Sequence, residues 1–279
     1  MCELLGLNAN VPTDICFSFR GFAQRGGRTG DHADGWGMAI YQGRGCQLFH
    51  DDAPSADSPA AGLLQQWPIQ STCIIAHIRK ATFGNSGLEN CHPFRREWQG
   101  RYWSLAHNGH LERLPAGSTG RFKPVGSTDS EAAFCWLLER LDTLNPDPED
   151  AEAIGQSLHE GCVALAQHGS FNCLISQGDW LFSFATTNLW YLTRRAPFRR
   201  AHLVDIDLEL DFAPVTTSGD VVTVIATQPL TDNEEWTRIQ PGQGLLFRNG
   251  ERTGEWHNPV PEHHFDLAAL VAQRRHHFS

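Results

Sequence analysis

Short apolar runs, separated by glycine, asparagine or charged residues, recur along most of the chain. Runs of this length between turn-forming residues are typical of β-strands joined by tight turns. The spacing between them suits hairpins, which favours antiparallel sheets. The ten runs predicted as strands are "ELLGLN", "GWGMAIYQG", "CQLFH", "STCIIAHIR", "RYWSLAHNG", "FNCLISQG", "DWLFSFAT", "LWYLTRR", "VVTVIAT" and "GLLFRNG".

Helical periodicity is clearest in the middle of the chain. The segment "STDSEAAFCWLLERL" opens with Thr128 and has Glu131 three residues later, which is a capping-box pattern. The next segment, "DPEDAEAIGQSLHEGCVALAQHG", has Pro148 near its start and is predicted to end at Gly169. Further helices are predicted in "AAGLLQQW" and in the tail "HHFDLAALVAQRRHH". Many strands and a central helix pair predict an α+β domain in which helices cover antiparallel sheets.

Composition and charge narrow the possible functions. The chain has 279 residues, 41% hydrophobic and 19% charged, and its 16 Phe and 9 Trp predict an aromatic core. A net charge of -10 would repel a phosphate backbone, so we expect no nucleic-acid partner. No apolar stretch approaches the roughly 20 residues of a membrane span, and we expect no membrane partner. Met1 is followed closely by an acid rather than a basic leader, which predicts a cytoplasmic protein.

Cysteines and histidines are numerous but lack the spacings of metal sites. The 8 Cys include no C-x-x-C pair, and the 14 His include no H-E-x-x-H motif. In a reducing compartment most of these thiols are expected to be small buried hydrophobic groups. We therefore expect neither a metal nor another cofactor.

The cysteine at position 2 is the first candidate for chemistry. A thiol there can be incidental, as most thiols are. Removal of Met1 would instead make Cys2 the first residue and give it a free α-amine. One residue would then carry both a nucleophile and a base.

Further segments could complete a site around such a thiol. Arg79 is predicted at the end of a strand, where a guanidinium can bind a carboxylate through two hydrogen bonds, or form an ordinary ion pair. The strand "RYWSLAHNG" is predicted to break at Asn108 and Gly109, which is either a turn signal or a pair of oxyanion donors. Asp129, at a helix N-terminus, would stabilise that helix or bind a cationic group. Gly37 would let the backbone pass close to a ligand, or serve as a turn residue.

In this order, these segments resemble the class II glutamine amidotransferases, members of the N-terminal nucleophile hydrolase superfamily. The chain is most similar to the stand-alone YafJ-type members. The resemblance rests on "MC", "DGWGMA", "IRKAT" followed by "GNSGLENCHPF", "AHNGHL" and "STDSE", from residue 1 to about 131. It implies a four-layer αββα sandwich and one amidotransferase domain over residues 1–279, completed by strands and a helix from about 220 to 279.

The resemblance also implies a reaction and the residues that carry it. Cys2 would attack the γ-carboxamide of glutamine or of a related γ-glutamyl amide and form a thioester. The implied catalytic residues are Cys2, Asn108 and Gly109, and the implied substrate-binding residues are Arg79, Thr82, Asp129, Gly37, Trp36 and His107. Asn108 and Gly109 would hold the oxyanion. Arg79 and Thr82 would bind the substrate α-carboxylate, and Asp129 its α-ammonium.

One departure from the family pattern bears on the fate of ammonia. Relatives linked to a synthase have tryptophan in the arginine segment where this chain has Lys80, and that tryptophan takes part in ammonia gating. The amidotransferase fold is also expected to use nearly the whole chain, leaving no synthase domain. These points favour a hydrolase. The alternatives are a glutaminase subunit that supplies ammonia to a partner synthase, an inactive glutamine-binding module, and a hydrolase of other acyl amides. The aromatic content also suits a homodimer.

Overall fold

The computed structural model describes residues 2–81 and 87–263. The strands in chain order are β1 (Glu3–Thr13), β2 (Trp36–Gln42), β3 (Gly45–Asp51), β4 (Ser71–Ile78), β5 (Phe94–Trp98), β6 (Arg101–Leu111), β7 (Gly169–Ser176), β8 (Leu181–Phe184), β9 (Trp190–Arg195), β10 (Arg200–His202), β11 (Glu209–Asp211), β12 (Val221–Ala226), β13 (Thr237–Arg238), β14 (Gln243–Arg248) and β15 (Glu251–His257). The α-helices are α1 (Cys16–Gln24), α2 (Pro59–Leu64), α3 (Asp129–Leu144) and α4 (Ala151–Ala166). Two short 3-10 helices span Leu88–Asn90 and Ala213–Val215.

Two antiparallel sheets form the centre of the molecule. The first has the order β13-β9-β12-β1-β4-β2-β3, with β1 in the middle, and the second has the order β15-β14-β8-β7-β6-β5. A small hairpin pairs β10 with β11. The ten predicted strands all form, and the antiparallel arrangement is confirmed.

Side-chain alternation along the strands generates the layers. In β1, Leu5 and Leu7 face a core that includes Phe19 and Phe22 of α1, whereas Leu4 faces a second core between the two sheets. A third core packs the outer face of the second sheet against α3 and α4. These successive layers make the αββα sandwich, which confirms the predicted fold class.

The start of α3 follows the capping prediction in part. The Thr128 hydroxyl accepts a hydrogen bond from the Glu131 N–H (3.2 Å). The Glu131 carboxylate does not reach back to Thr128; it accepts from the N–H groups of Val125 and Gly126 (3.0 and 2.7 Å) and pairs with Arg96. Only half of the capping box forms, because the preceding loop offers Glu131 closer donors.

The limits of α4 differ from the prediction. Asp150 caps this helix by accepting from the N–H groups of Glu152 and Ala153, so Pro148 lies in the turn before it. The helix ends at Ala166 and not at Gly169. Gly169 is instead the first residue of β7 and has a positive φ of 149°. The glycine at that point permits the change from helix to strand.

The predicted break at Asn108 and Gly109 is wrong. β6 continues to Leu111 and pairs with β7 as far as Leu111↔Gly169. Gly109 lies opposite Phe171, where a Cβ atom would come within 2.0 Å of the Ser170 carbonyl oxygen. The glycine therefore permits close strand pairing here and does not form a turn.

Some elements have no counterpart in the sequence prediction: α1, β5, β10, β11, β13 and β15. The predicted tail helix and Thr82 lie outside the described residues. None of the helices within residues 2–81 and 87–263 is long and apolar enough to cross a membrane.

Candidate active site

Cys2 lies at the end of the first sheet, just before β1. The β1–β4 register pairs Glu3 with Ile78, and its continuation places Cys2 opposite Arg79. The Lys80 N–H donates to the Cys2 Sγ (3.3 Å), and the thiol donates to the Lys80 carbonyl (3.5 Å). Burial raises the pKa of the Cys2 thiol, so the thiol requires a base to become a nucleophile.

Arg79 follows directly on β4 and is 3% exposed. Its N–H donates to the Gly35 carbonyl (2.8 Å), which joins the end of β4 to the approach to β2. Besides burial, the Arg79 guanidinium lowers the pKa of the Cys2 thiol and the Asp129 carboxylate raises it. Charges of both signs therefore act on this thiol.

Gly37 and Trp36 lie on opposite faces of β2. A Cβ atom on Gly37 would come within 2.4 Å of the His92 carbonyl oxygen, so only glycine fits on the face towards the second sheet. The Trp36 ring is fully buried on the other face and packs against Phe19 of α1, with 5.6 Å between ring centroids. The structure therefore places the Trp36 ring in the core under α1, away from the Cys2 side of the sheet.

One backbone edge of β6 faces the same end of the molecule as Cys2. Here β6 extends past the start of β5, so no strand within residues 2–81 and 87–263 covers this edge. The His107 N–H donates to His92 Nδ1 (3.3 Å), and the Leu111 N–H donates to Asp129 Oδ2 (2.7 Å). Since N–H groups alternate along a strand, the Gly109 N–H lies on the same edge between these two donors. A carbonyl oxygen placed there could accept it.

The Asn108 side chain projects from β6 towards the first sheet. Its Nδ2 makes a long hydrogen bond to Thr227 Oγ1 (3.5 Å), and Thr227 Oγ1 also accepts from the Leu4 N–H (2.8 Å). Asn108 Oδ1 is buried and accepts no hydrogen bond from the described residues. Because buried polar groups are normally satisfied, this amide suits a group that acquires a partner when a ligand binds.

Asp129 is the first residue of α3 and lies beside the same edge. Burial alone would raise the pKa of its carboxyl group, but a hydrogen bond from His110, the nearby His107 imidazole and the Leu111 N–H together hold the pKa below its usual range. His110 Nδ1 lies 3.5 Å from Asp129 Oδ2. The side chain is therefore a carboxylate at neutral pH, able both to anchor β6 and to accept an ammonium group.

Three buried histidines, His77, His92 and His107, pack next to this part of β6. The rings of His77 and His92 stack with 4.1 Å between centroids, and His77 Nε2 lies 3.1 Å from the His107 carbonyl oxygen. The His107 ring faces α3, where its Nδ1 lies 2.8 Å from Ser130 Oγ. Burial lowers the pKa of all three imidazoles, so they are neutral at pH 7.

Within residues 2–81 and 87–263 no three His, Cys, Asp or Glu side chains converge as metal ligands.

The structure places some of the predicted site residues close together and others apart. The structure brings together Cys2, Arg79, Gly37, Asn108, Gly109 and Asp129, whereas the rings of Trp36 and His107 point away from the space between the sheets. Thr227 and His92 were not predicted as site residues. Thr227 belongs to no motif, and His92, although it lies within "GNSGLENCHPF", contacts His107 of a different strand.

Comparison with known proteins shows the family of this chain. The family described as "Glutamine amidotransferases class-II" matches residues 1–269. YafJ of Escherichia coli (strain K12) is 54% identical over 253 residues, which cover 90% of this chain and 99% of YafJ. The structure of a predicted glutamine amidotransferase from Pseudomonas aeruginosa PA01 is 49% identical, with a TM-score of 0.73 over 91% of this chain and 100% of that chain.

A more distant structure supports the fold alone. Glutamine phosphoribosylpyrophosphate amidotransferase from B. subtilis is 14% identical, with a TM-score of 0.58 over 92% of this chain and 49% of that chain. Its sandwich of sheets and helices is the architecture seen here. Taken with the family match and the identity to YafJ, these likenesses show that the chain belongs to the class II glutamine amidotransferases.

Proposed function

We propose that this chain hydrolyses the γ-carboxamide of glutamine, or of a related γ-glutamyl amide, through a thioester on Cys2. The observation that carries the proposal is the convergence of Cys2, Arg79, Asp129 and the Asn108–Gly109 donors at one end of the two sheets. Because these residues come from β1, β4, β6 and α3, their meeting depends on the fold and not on one local motif.

The first half-reaction would form the thioester and release ammonia. After removal of Met1, the α-amine of Cys2, whose reference pKa is about 7.7–8.0, would take the thiol proton. Sγ would then attack the carboxamide carbon, and the developing oxyanion would accept from Asn108 Nδ2 and the Gly109 N–H. As the C–N bond breaks, the α-ammonium would return its proton to the leaving nitrogen.

The second half-reaction would regenerate the thiol. Water, deprotonated by the same α-amine, would attack the thioester carbon, and the same two donors would hold the second oxyanion. The C–S bond would break to give a γ-carboxylic acid that keeps one proton of the water, and the α-ammonium would return the other proton to Sγ. The net change is one amide and one water converted to one acid and one ammonia.

Recognition of the substrate would depend on its zwitterionic head group. Arg79, supported by Thr82, would bind the α-carboxylate, and Asp129 would bind the α-ammonium. Gly37 would leave room beside Cys2. The rings of Trp36 and His107 face the helical layers, so these two residues would support the neighbouring strands without touching the substrate.

Release of ammonia to water is proposed over delivery to an acceptor. The Lys80 ammonium forms an ion pair with Asp31 and is partly exposed, so this position carries a charged surface group where a gating residue would be expected. A glutaminase subunit that needs a partner synthase is the second candidate. It would show little ammonia release until that partner is added.

The test is intact-mass spectrometry of the purified protein before and after treatment with a glutamine-like diazoketone. We expect the mass to show loss of Met1 and then one covalent adduct, which Cys2→Ala abolishes. Ammonia release from glutamine by the untreated protein alone should accompany that adduct.

Other results would contradict the proposal. Retained Met1 without an adduct would exclude the mechanism. Glutamine binding that Cys2→Ala leaves unchanged, with no turnover, would support an inactive binding module. Turnover of acyl amides that lack a γ-glutamyl group, with none of glutamine, would point to another hydrolase of the superfamily.

A further inference from the structure

We propose that Asn172 is a positioning residue that orients the Gly109 N–H towards the oxyanion. The inference rests on the proposed function for its catalytic meaning. It concerns a residue of β7 that would not touch the substrate. Its geometry can be tested whether or not the chain hydrolyses glutamine.

The inference begins with the peptide between Asn108 and Gly109. Asn172 lies opposite Asn108 in the β6–β7 register, and its Nδ2 donates to the Asn108 carbonyl oxygen (2.8 Å). That carbonyl and the Gly109 N–H belong to one planar peptide unit and point in opposite directions. A bond that holds the carbonyl towards β7 therefore aims the N–H at the uncovered edge of β6.

The Asn172 amide is itself held by several hydrogen bonds. Its Oδ1 accepts from the N–H groups of Thr186 and Thr187, both at 2.9 Å, and its Nδ2 also donates to Thr187 Oγ1 (2.8 Å). Backbone N–H groups can only donate, which fixes Oδ1 on their side and Nδ2 towards Asn108. The side chain is fully buried, so water does not compete for these bonds.

This arrangement has two consequences for the Gly109 donor. Rotation of the peptide plane would break the bond from the Asn172 side chain in addition to the β6–β7 pairing of these residues, so the side chain adds a second restraint to that of the strands. A hydrogen bond to the carbonyl also polarises the peptide and strengthens its N–H as a donor. Both effects favour the transition state, where charge develops on the oxyanion, more than the bound substrate.

The variant that tests this is Asn172→Asp. One carboxylate oxygen can still accept from Thr186 and Thr187, but the other would face the Asn108 carbonyl oxygen without a proton. At pH 8 we expect kcat to fall about tenfold or more with KM within about twofold, since weakening a transition-state donor affects kcat. As the pH falls the carboxyl group gains a proton and can donate again, so the ratio of variant to wild-type kcat should rise.

A matched control makes the same chemical change elsewhere. Asn8 in β1 is buried, and its Oδ1 accepts from the Gly250 N–H (2.8 Å), far along the strand from Cys2. We expect Asn8→Asp to keep kcat within about twofold of the wild type per folded molecule, with no pH-dependent ratio. A merely structural role for Asn172 would make the two variants behave alike.

A second measurement reports on the peptide directly. The sequence contains two Asn-Gly pairs, Asn108–Gly109 and Asn249–Gly250. Labelling with 13C-carbonyl asparagine and 15N-glycine therefore isolates two amide signals by NMR. Asn172→Asp should move the Gly109 amide proton to lower frequency at pH 8, with recovery in acid, and leave Gly250 in place. Asn8→Asp should move the Gly250 signal, since Asn8 Oδ1 is its acceptor, and leave the Gly109 signal in place.

The outcomes separate the two proposals. If Asn172→Asp is folded and leaves both the Gly109 signal and kcat unchanged, the positioning role is wrong. If the wild type forms no diazoketone adduct and releases no ammonia while the Gly109 signal still follows Asn172, the positioning role stands and the proposed function fails. If Asn172→Asp does not fold, Asn172→Gln takes its place: a displaced Gly109 signal supports the role, and an unmoved one overturns it.

Discussion

At the scale of single residues, charges of opposite sign act on the Cys2 thiol, the proposed nucleophile. Burial raises the pKa of the Cys2 thiol, Arg79 lowers it and Asp129 raises it further. Both charged residues are also those proposed to bind the head group of the substrate. A bound zwitterion would offset each of them, so substrate binding and thiol activation are linked through the same two side chains.

This arrangement predicts opposite effects of two substitutions on the reactivity of Cys2. Arg79→Met should raise the pKa of the thiol, because a stabilising positive charge is lost, and Asp129→Asn should lower it, because a repelling negative charge is lost. The measurement is the rate of Cys2 alkylation by iodoacetamide as a function of pH, with Cys2→Ala as background. Shifts in the same direction would show that burial changes, not charge, control this thiol.

At the scale of elements, β6 supplies both a buried amide and an open backbone edge. The edge is open because β5 begins only opposite Leu105, while β6 runs on to Leu111. Gly109 makes this continuation possible, since a Cβ atom would meet the Ser170 carbonyl oxygen of β7 at 2.0 Å. The same residue thus serves strand pairing and the proposed oxyanion site.

We therefore predict that Gly109→Ala destabilises the fold by about 2–4 kcal/mol, as expected when a buried backbone must shift to remove a clash. It should also abolish ammonia release. Urea unfolding measures the first effect. Gly62→Ala in α2 is the control, because a Cβ atom there meets no atom within 4 Å. This variant should raise the free energy of unfolding by about 0.5–1 kcal/mol, since alanine favours a helix more than glycine does. Equal stability of the two variants would contradict the close strand contact.

Periodicity predicted the strands well but could not predict how they pair. The signal "HNG" indicates a turn, and only the neighbouring β7 shows that Gly109 continues a strand. β15 was missed because its residues are mainly polar and solvent-accessible, and α1 because apolar residues lie on several of its faces. Asn172 and Thr227 carry no motif, because their roles follow from contacts across the sheets.

At the scale of the whole molecule, the buried side chain of Arg25 bonds to segments that are far apart in sequence. Arg25, after α1, forms ion pairs with Glu3 and Asp205, both at 2.9 Å. Its Nη1 and Nη2 also donate to the carbonyl oxygens of Gln228 and Pro229 (3.2 and 2.8 Å). Glu3 adjoins Cys2, so this network fixes the start of the strand that follows Cys2.

We predict that Arg25→Met lowers the free energy of unfolding by about 3–5 kcal/mol, because two buried carboxylates lose their cation. Activity per folded molecule should also fall, since Glu3 would move with β1. Arg28→Met is the control: its ion pair with Asp57 is more than half exposed and should contribute about 0–1 kcal/mol. Urea unfolding distinguishes the two, and equal losses would refute the role given to Arg25.

The position of β1 in the first sheet has a consequence for protein synthesis. β1 is made first, yet its neighbours are β4 and β12, and Thr227 just beyond β12 joins Leu4 to Asn108. Pairing between segments so far apart in sequence forms late, because a long loop must close before its contacts form. The ribosome must therefore have passed Thr227 before the proposed site around Cys2 can form, and we expect no hydrolysis of glutamine by a shorter nascent chain.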